Sequence, residues 1–336
     1  MPRTTRVKSK TTRPASSSDT SRLYLTILIP LFNEEESLAE LHSSITSVMK
    51  ELVRKGGVKD SYEILFVDDG STDRSFKVIE QLRSADPRVR AIRFRRNFGK
   101  SSAIAVGFKE ARGEFVITMD ADLQDDPQEI PNLLDALQSD LDLVSGWKQK
   151  RYDPISKTIP SRFFNFVTAK MTGIPIHDFN CGLKAYRREV VKEVQVYGEL
   201  HRYIPVLAHW AGYRVGEIAV QHHPRKYGHT KFGLSRFFKG FLDLLTVLFT
   251  TRYIRRPLHL FGVWGMVSFV VGVLIDGYLS VEWFLGRTAL SNRPLFLVGF
   301  LFIIIGIQFI SIGLLGEMIT RQEPRDQSYS IRETLG

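Results

Sequence analysis

Four times between Tyr24 and Asp126 a short apolar run breaks off into a polar cluster: YLTILIP into LFNEEE, YEILFV into DDGSTD, VRAIRF into RRNFGK, and EFVITM into DADLQ. A fifth run, DLVSGW, follows. Apolar runs of this length, separated by amphipathic stretches, predict an α/β domain in which a parallel sheet is covered by helices. After the first run, Leu38, Leu41, Ile45, Val48 and Leu52 recur at spacings of three and four, giving one apolar helical face. Glu34, Glu35 and Glu36 stand where a helix N-terminus favours negative charge. All four clusters fall at carboxyl ends of predicted strands, the edge where an open parallel sheet binds ligands. One such cluster reads as a turn or a cap; four on one edge predict a site.

The remainder of the chain divides by composition. Residues 151–232 are rich in Arg, His and Gly and are expected to complete a domain over 23–232. In 233–256, Arg236, Lys239, Asp243, Thr246 and Thr250 form a narrow polar stripe among aromatic and aliphatic residues. That pattern suits an amphipathic helix in the headgroup region, a buried core helix being the alternative. Two apolar runs follow, Leu258 to Tyr278 and Pro294 to Ile319, each long enough for a hydrocarbon core of about 30 Å. They predict a transmembrane hairpin over 257–320 with a tail over 321–336. Arg252, Arg255 and Arg256 before it and Arg321 and Arg325 after it place both chain ends in the cytoplasm, although Arg287 and Arg293 soften the asymmetry. Asp276, toward the outer end of the first span, is read as contacting water, or else a functional polar partner.

The formal charge of +10 raises nucleic acid as a partner, but six basic residues against Asp19 lie in residues 1–22. This Thr-, Ser- and Pro-containing segment reads as a disordered basic tail, either solubilising or weakly holding anionic lipid. With the charge placed there and beside the membrane, nucleic-acid binding is not expected. Cys181 is the only cysteine, so neither an intrachain disulfide nor a cysteine metal cluster can form.

Asp120 and Asp122 end the fourth run, where period-two geometry would send both carboxylates to one side of an extended chain. Oxygen ligands of this kind suit Mg²⁺ or Mn²⁺, which leave positions open for substrate phosphates. A DxD triplet alone is weak; the strand before it and the Gln124, Asp125, Asp126, Pro127 continuation make it specific. His222 and His223 are adjacent and so point differently in a strand, which speaks against a metal pair.

Together PLFNEEE, VDDGSTD, NFGK, DADLQDDP, HDFNCGLKAYRR and RKYGHTKF resemble the family 2 glycosyltransferases of GT-A, Rossmann-like fold. The likeness is nearest in style to dolichol-phosphate mannose synthases and the GtrB-type polyisoprenyl-phosphate glucosyltransferases, and covers about residues 24–232. It implies an inverting transferase that moves a hexose, glucose favoured, from a nucleotide diphosphate sugar, UDP favoured, to a polyisoprenyl phosphate. The reaction would take place at the cytoplasmic face of the cell inner membrane. Pro30, Phe32, Asn33, Glu34, Asp68, Asp69, Lys100, Asp120, Ala121 and Gln124 would hold the nucleotide, and Asp120, Asp122 and Gln124 the metal. Phe32 stands where the family commonly has Tyr, and Thr230 and Phe232 where it has Ser and Tyr.

Breaking the anomeric bond releases a nucleoside diphosphate whose growing charge the cation would stabilise as a Lewis acid. Arg225 and Lys231 would add charge-assisted hydrogen bonds, unless they form only a solvated basic loop. A phosphate acceptor is already mostly ionised, so a general base is optional. Cations to position it are expected instead from Lys148, Lys150, Arg151 and Arg162, with Arg202 and Trp210 shaping a pocket or packing in the core. Asp178 is read either as a residual base or sugar contact, or as a structural carboxylate. A homo-oligomer is compatible with this reading. A processive polysaccharide synthase would be expected to carry a Gln-x-x-Arg-Trp motif and more spans, and a degenerate lipid-binding scaffold would not be expected to keep Asp120, Asp122 and Gln124 intact.

Overall fold

The computed structural model describes residues 23–56, 60–149, 155–196, 200–224, 226, 257–287 and 293–322. The basic tail, Lys150, Arg151, Arg225, the Thr230–Phe232 stretch with Lys231, the amphipathic segment 233–256 and the last residues lie outside the described residues.

The five expected strands form: β1 (Leu25–Leu31), β2 (Tyr62–Asp68), β3 (Val89–Arg93), β4 (Phe115–Thr118) and β5 (Leu143–Trp147). Two more, β6 (Lys184–Arg187) and β7 (Val215–Ala219), complete a seven-stranded sheet of order β3-β2-β1-β4-β6-β5-β7. The sheet is mixed rather than wholly parallel, because β6 runs antiparallel between β4 and β5. β5 therefore never touches β4, as a purely parallel winding would have it.

Every residue of β1 and β2 is buried, since helices cover both faces. Alternate side chains serve the two layers. Leu25, Ile27 and Ile29 join a core closed by α1 (Leu38–Arg54), α2 (Ser75–Ala85) and α4 (Ile130–Ser139). Leu28, Leu65 and Val67 face a second core under α3 (Lys100–Glu110), α6 (Arg188–Glu193) and α7 (Ile204–Trp210). The α1 face is as its spacing predicts, with Leu38, Leu41, Ile45 and Val48 buried and Leu52 half-buried. Between β5 and β6 runs α5 (Ile155–Thr172).

Registers align the site. Leu31 of β1 stands beside Asp68 of β2, and Leu28 beside Thr118 of β4, so those strands end on one edge. Because β6 is antiparallel, its first residue, Lys184, lies beside Thr118, the last of β4. The reversed strand thus delivers the Asp178–Gly182 turn to the same edge.

Two further helices, α8 (Pro257–Phe284) and α9 (Pro294–Gln322), are long and apolar enough to cross a membrane. The first continues six residues beyond the Tyr278 expected from sequence. They meet through glycines: a Cβ at Gly272 would come 2.5 Å from the Gly299 carbonyl oxygen, and one at Gly265 2.8 Å from that of Gly306. Close backbone approach of this kind is how helices associate where no hydrophobic force separates them from lipid. Asp276 packs against Gly299 and its Oδ1 is shielded with no hydrogen-bond partner among the described residues, so this oxygen is not the water-contacting group expected.

Candidate active site

The loop after β1 is stitched to the loop after β2. Asn33 N–H donates to Ser71 Oγ (2.9 Å), Glu34 N–H to Ser75 Oγ (2.9 Å), and Asn33 Oδ1 accepts from Thr72 N–H (2.9 Å). Asn33 takes a left-handed φ of 58° to do so. Asp68 is fully buried; Oδ1 accepts Ser71 N–H at 2.8 Å and Oδ2 lies 3.3 Å from Arg93 Nε. Asp69 accepts the amides of Phe98 and Gly99 at 2.7 and 2.9 Å. Burial raises its pKa, and those two amides oppose the rise. Both aspartates thus shape the loops, and Gly70 (φ 73°), directly after them, passes so close to Arg96 that a Cβ would sit 2.8 Å from its Cα.

Gly99 (φ 94°) leads into α3, whose first residue, Lys100, pairs through Nζ with Asp120 Oδ1. Burial pushes the Asp120 carboxyl up, but the charge and hydrogen bond of Lys100, with Lys148 and Lys184 behind it, hold it at about 2. On the opposite side, a Cβ on Gly182 would stand 2.5 Å from the Asp120 carboxyl carbon, so only glycine lets the β6 turn close on it.

The triplet itself is not extended. β4 stops at Thr118, residues 121–122 form a turn, and Leu123 has φ 59°, so period-two alternation does not apply. Asp122, buried, instead accepts Gln124 N–H through Oδ1 at 3.2 Å. Ala121 is buried beside it. Asp125 is buried and pairs with Lys148 Nζ at 2.7 Å; burial lowers the lysine's pKa, but Asp125 outweighs it and the net shift is upward. Lys148, expected to meet the acceptor, is therefore engaged beneath the DxD turn. The segment from Gln221 clasps the same turn: His222 Nδ1 meets Gln124 O (3.1 Å), and His223 Nε2 meets Asp126 Oδ2 (2.9 Å).

A narrow cleft beside Asp120 brings together Pro30, Lys100 and Arg202 with three residues that sequence reasoning passed over: Asn180, Lys184 and His201. Lys184 is buried and donates to the carbonyls of Cys181 and Phe179, burial lowering its pKa. His201 Nδ1 meets Ser101 Oγ at 2.7 Å; desolvation and the nearby Lys100 and Arg202 hold it well below the usual histidine value. The basic residue beside the expected Arg202 was the available signal for His201. For Lys184 the only signal was its place in the HDFNCGLKAYRR stretch, since a lysine inside a strand otherwise reads as solvated. Asp178 is buried and accepts Asn180 N–H at 3.1 Å, the geometry of a turn-holding carboxylate. Arg162 lies exposed on α5 and does not line the cleft, and Trp210 packs against a small core of Phe179, Tyr203 and Val206. The Cys181 thiol, pushed up to about 12 by burial, is no nucleophile.

The family model for glycosyl transferase family 2 matches residues 26–195. Dodecaprenyl-phosphate galacturonate synthase of Rhizobium johnstonii is 37% identical over 319 residues, covering 93% of this chain and 93% of that one. Undecaprenyl-phosphate 4-deoxy-4-formamido-L-arabinose transferase of Proteus mirabilis is 37% identical over 320 residues, with 93% and 94% covered. A crystal structure of a mycobacterial protein shares the fold, with a TM-score of 0.50 at 17% identity over 69% of this chain and 75% of that chain. Sheet order, strand-end loops and the matched sequence agree, and the chain belongs to glycosyl transferase family 2.

Proposed function

We propose that this glycosyltransferase moves a sugar from a nucleoside diphosphate to a polyprenyl phosphate at the cytoplasmic membrane face, with inversion. The observation that carries the acceptor is coverage. Both relatives align over 93% of the chain, too much for the two apolar helices to fall outside the match, and both are named for polyprenyl-phosphate transfer. Residues 23–232 would be the catalytic unit, 233–256 an interfacial helix and 257–320 the anchor.

Asp120, Asp122 and Gln124 suit Mg²⁺ or Mn²⁺: all offer hard oxygen, and Asp120 and Asp122 crowd one turn. Two carboxylates and an amide oxygen would leave coordination positions for donor phosphates. When bound, the ion would act as a Lewis acid on the leaving diphosphate. Pro30, Phe32, Asn33 and Glu34 would border the nucleoside, with Asp68 and Asp69 fixing the loops around it. Arg202, in the cleft beside Asp120, is our choice for orienting the acceptor phosphate, with Arg225 and Lys231 closing over the donor. An ionised phosphate needs no base, and Asp178 is assigned to the turn.

The donor we propose is a UDP-sugar. Glucose is favoured by the family resemblance, and the relatives' names bring a uronate and a modified pentose beside it. Purified full-length protein would be incubated with undecaprenyl phosphate and radiolabelled UDP-glucose, UDP-galacturonate, UDP-galactose, a UDP-linked formamido-pentose or GDP-mannose, then extracted. Label in the lipid phase from one UDP-sugar is expected. Its absence with every donor, the UDP-linked formamido-pentose included, would sink the reading.

A further inference from the structure

We propose that Lys100 is a resident counter-cation of the metal site, holding Asp120 until a metal–nucleotide complex displaces it, so that divalent-ion binding depends on the donor. The proposal rests on the metal reading of Asp120 and Asp122 and adds the residue that governs entry.

The lysine is held in place by its surroundings. Asp69 grips the amides of Phe98 and Gly99, which fixes where α3 begins, and Lys100 is the first residue of that helix. From there its Nζ reaches Asp120 Oδ1. Gly182 presses on the other side of the same carboxylate, where a Cβ would stand 2.5 Å away. Asp120 is clasped between a cation and a turn.

The loop's charge is also met from within. Lys148 takes Asp125 at 2.7 Å, as Lys100 takes Asp120. A divalent ion arriving alone would have to shed water and dislodge the Lys100 ammonium from Asp120. A metal–nucleotide complex differs in two ways. Its phosphate oxygens would supply further ligands to the ion, and they would offer the displaced ammonium a new anionic partner. The flexible four-carbon stem of lysine allows the exchange where a rigid group would not. Lys100 thus moves from carboxylate to diphosphate as the donor seats.

Mn²⁺ binding is measured by electron paramagnetic resonance on the full-length protein in detergent, with Mn²⁺ alone and with UDP. For the wild type, UDP is expected to tighten Mn²⁺ by about tenfold or more, a typical coupling. Lys100→Met and Lys100→Gln should bind Mn²⁺ alone about tenfold tighter than wild type and gain less from UDP. Lys100→Arg, which keeps the charge, should retain the wild-type pattern. Charge-removing variants that bind Mn²⁺ alone no tighter than wild type overturn the proposal. Wild-type protein that binds no Mn²⁺ with or without UDP overturns the underlying metal reading and the proposal with it.

Discussion

Two carboxylates that sequence treats alike, Asp120 and Asp122, have different neighbours. The first pairs with Lys100, while the second turns back onto Gln124 N–H inside a tight turn. Asp122→Asn keeps the size and one acceptor oxygen, so the turn should survive while an anionic ligand is lost. Transfer is expected to fall by roughly a hundredfold with an unchanged melting temperature; wild-type rates would remove Asp122 from the site. His201 carries a pH signature. Its folded pKa is depressed below 6.5, chiefly by burial and then by Lys100 and Arg202, so the unfolded chain binds the proton more readily. The associated stability is present above pH 6.5 and lost as pH falls below it. Melting temperature should therefore drop from pH 7.5 to about 5.5, and drop less in His201→Gln; parallel profiles for the two proteins would contradict this.

At the scale of elements, the site depends on loops that bind one another. Asp69 is the main tie between the loop after β2 and the start of α3, and Asp69→Asn would turn an amide nitrogen toward backbone N–H groups. An unsatisfied polar contact of this kind costs about 1–3 kcal/mol. Faster hydrogen exchange at residues 98–102 is expected, with the β1 and β2 amides unchanged; identical exchange would show that the tie is not needed. The five strands that alternate with helices were legible, as were the four polar loops, because local periodicity and strand-end position carry that information. The reversed β6 was not. KAYR is four residues long with a lysine and an arginine at its ends, and its burial comes from β4 and β5 on either side, which no local pattern records. The same topology explains why Lys184, Asn180 and Gly182 escaped notice: they reach Asp120 only because β6 runs backwards. The turn at 121–123 was hidden for another reason, since Leu123 adopts a positive φ that its residue type does not announce.

On the scale of the molecule, two bodies with different solvents share one chain. The sheet domain encloses its own cores, whereas α8 and α9 expose Trp264, Leu274, Phe300 and Ile304 over long apolar surfaces. Such surfaces belong in lipid. Every strand-end loop precedes Lys231, so a fragment ending there should still bind nucleotide. It should transfer poorly to a long-chain acceptor, because that acceptor's phosphate is tied to the bilayer plane and the fragment is not. Confinement to the same surface raises the effective concentration of the two partners without adding any contact. The comparison is full chain against fragment, in liposomes, with undecaprenyl phosphate and with a short water-soluble isoprenyl phosphate. The short acceptor should be used at similar rates by both proteins, and the long one about a hundredfold faster by the full chain. Equal rates on the long acceptor would mean that the hairpin serves assembly or location and not catalysis. Loss of both activities in the fragment would instead place part of the active site beyond Lys231.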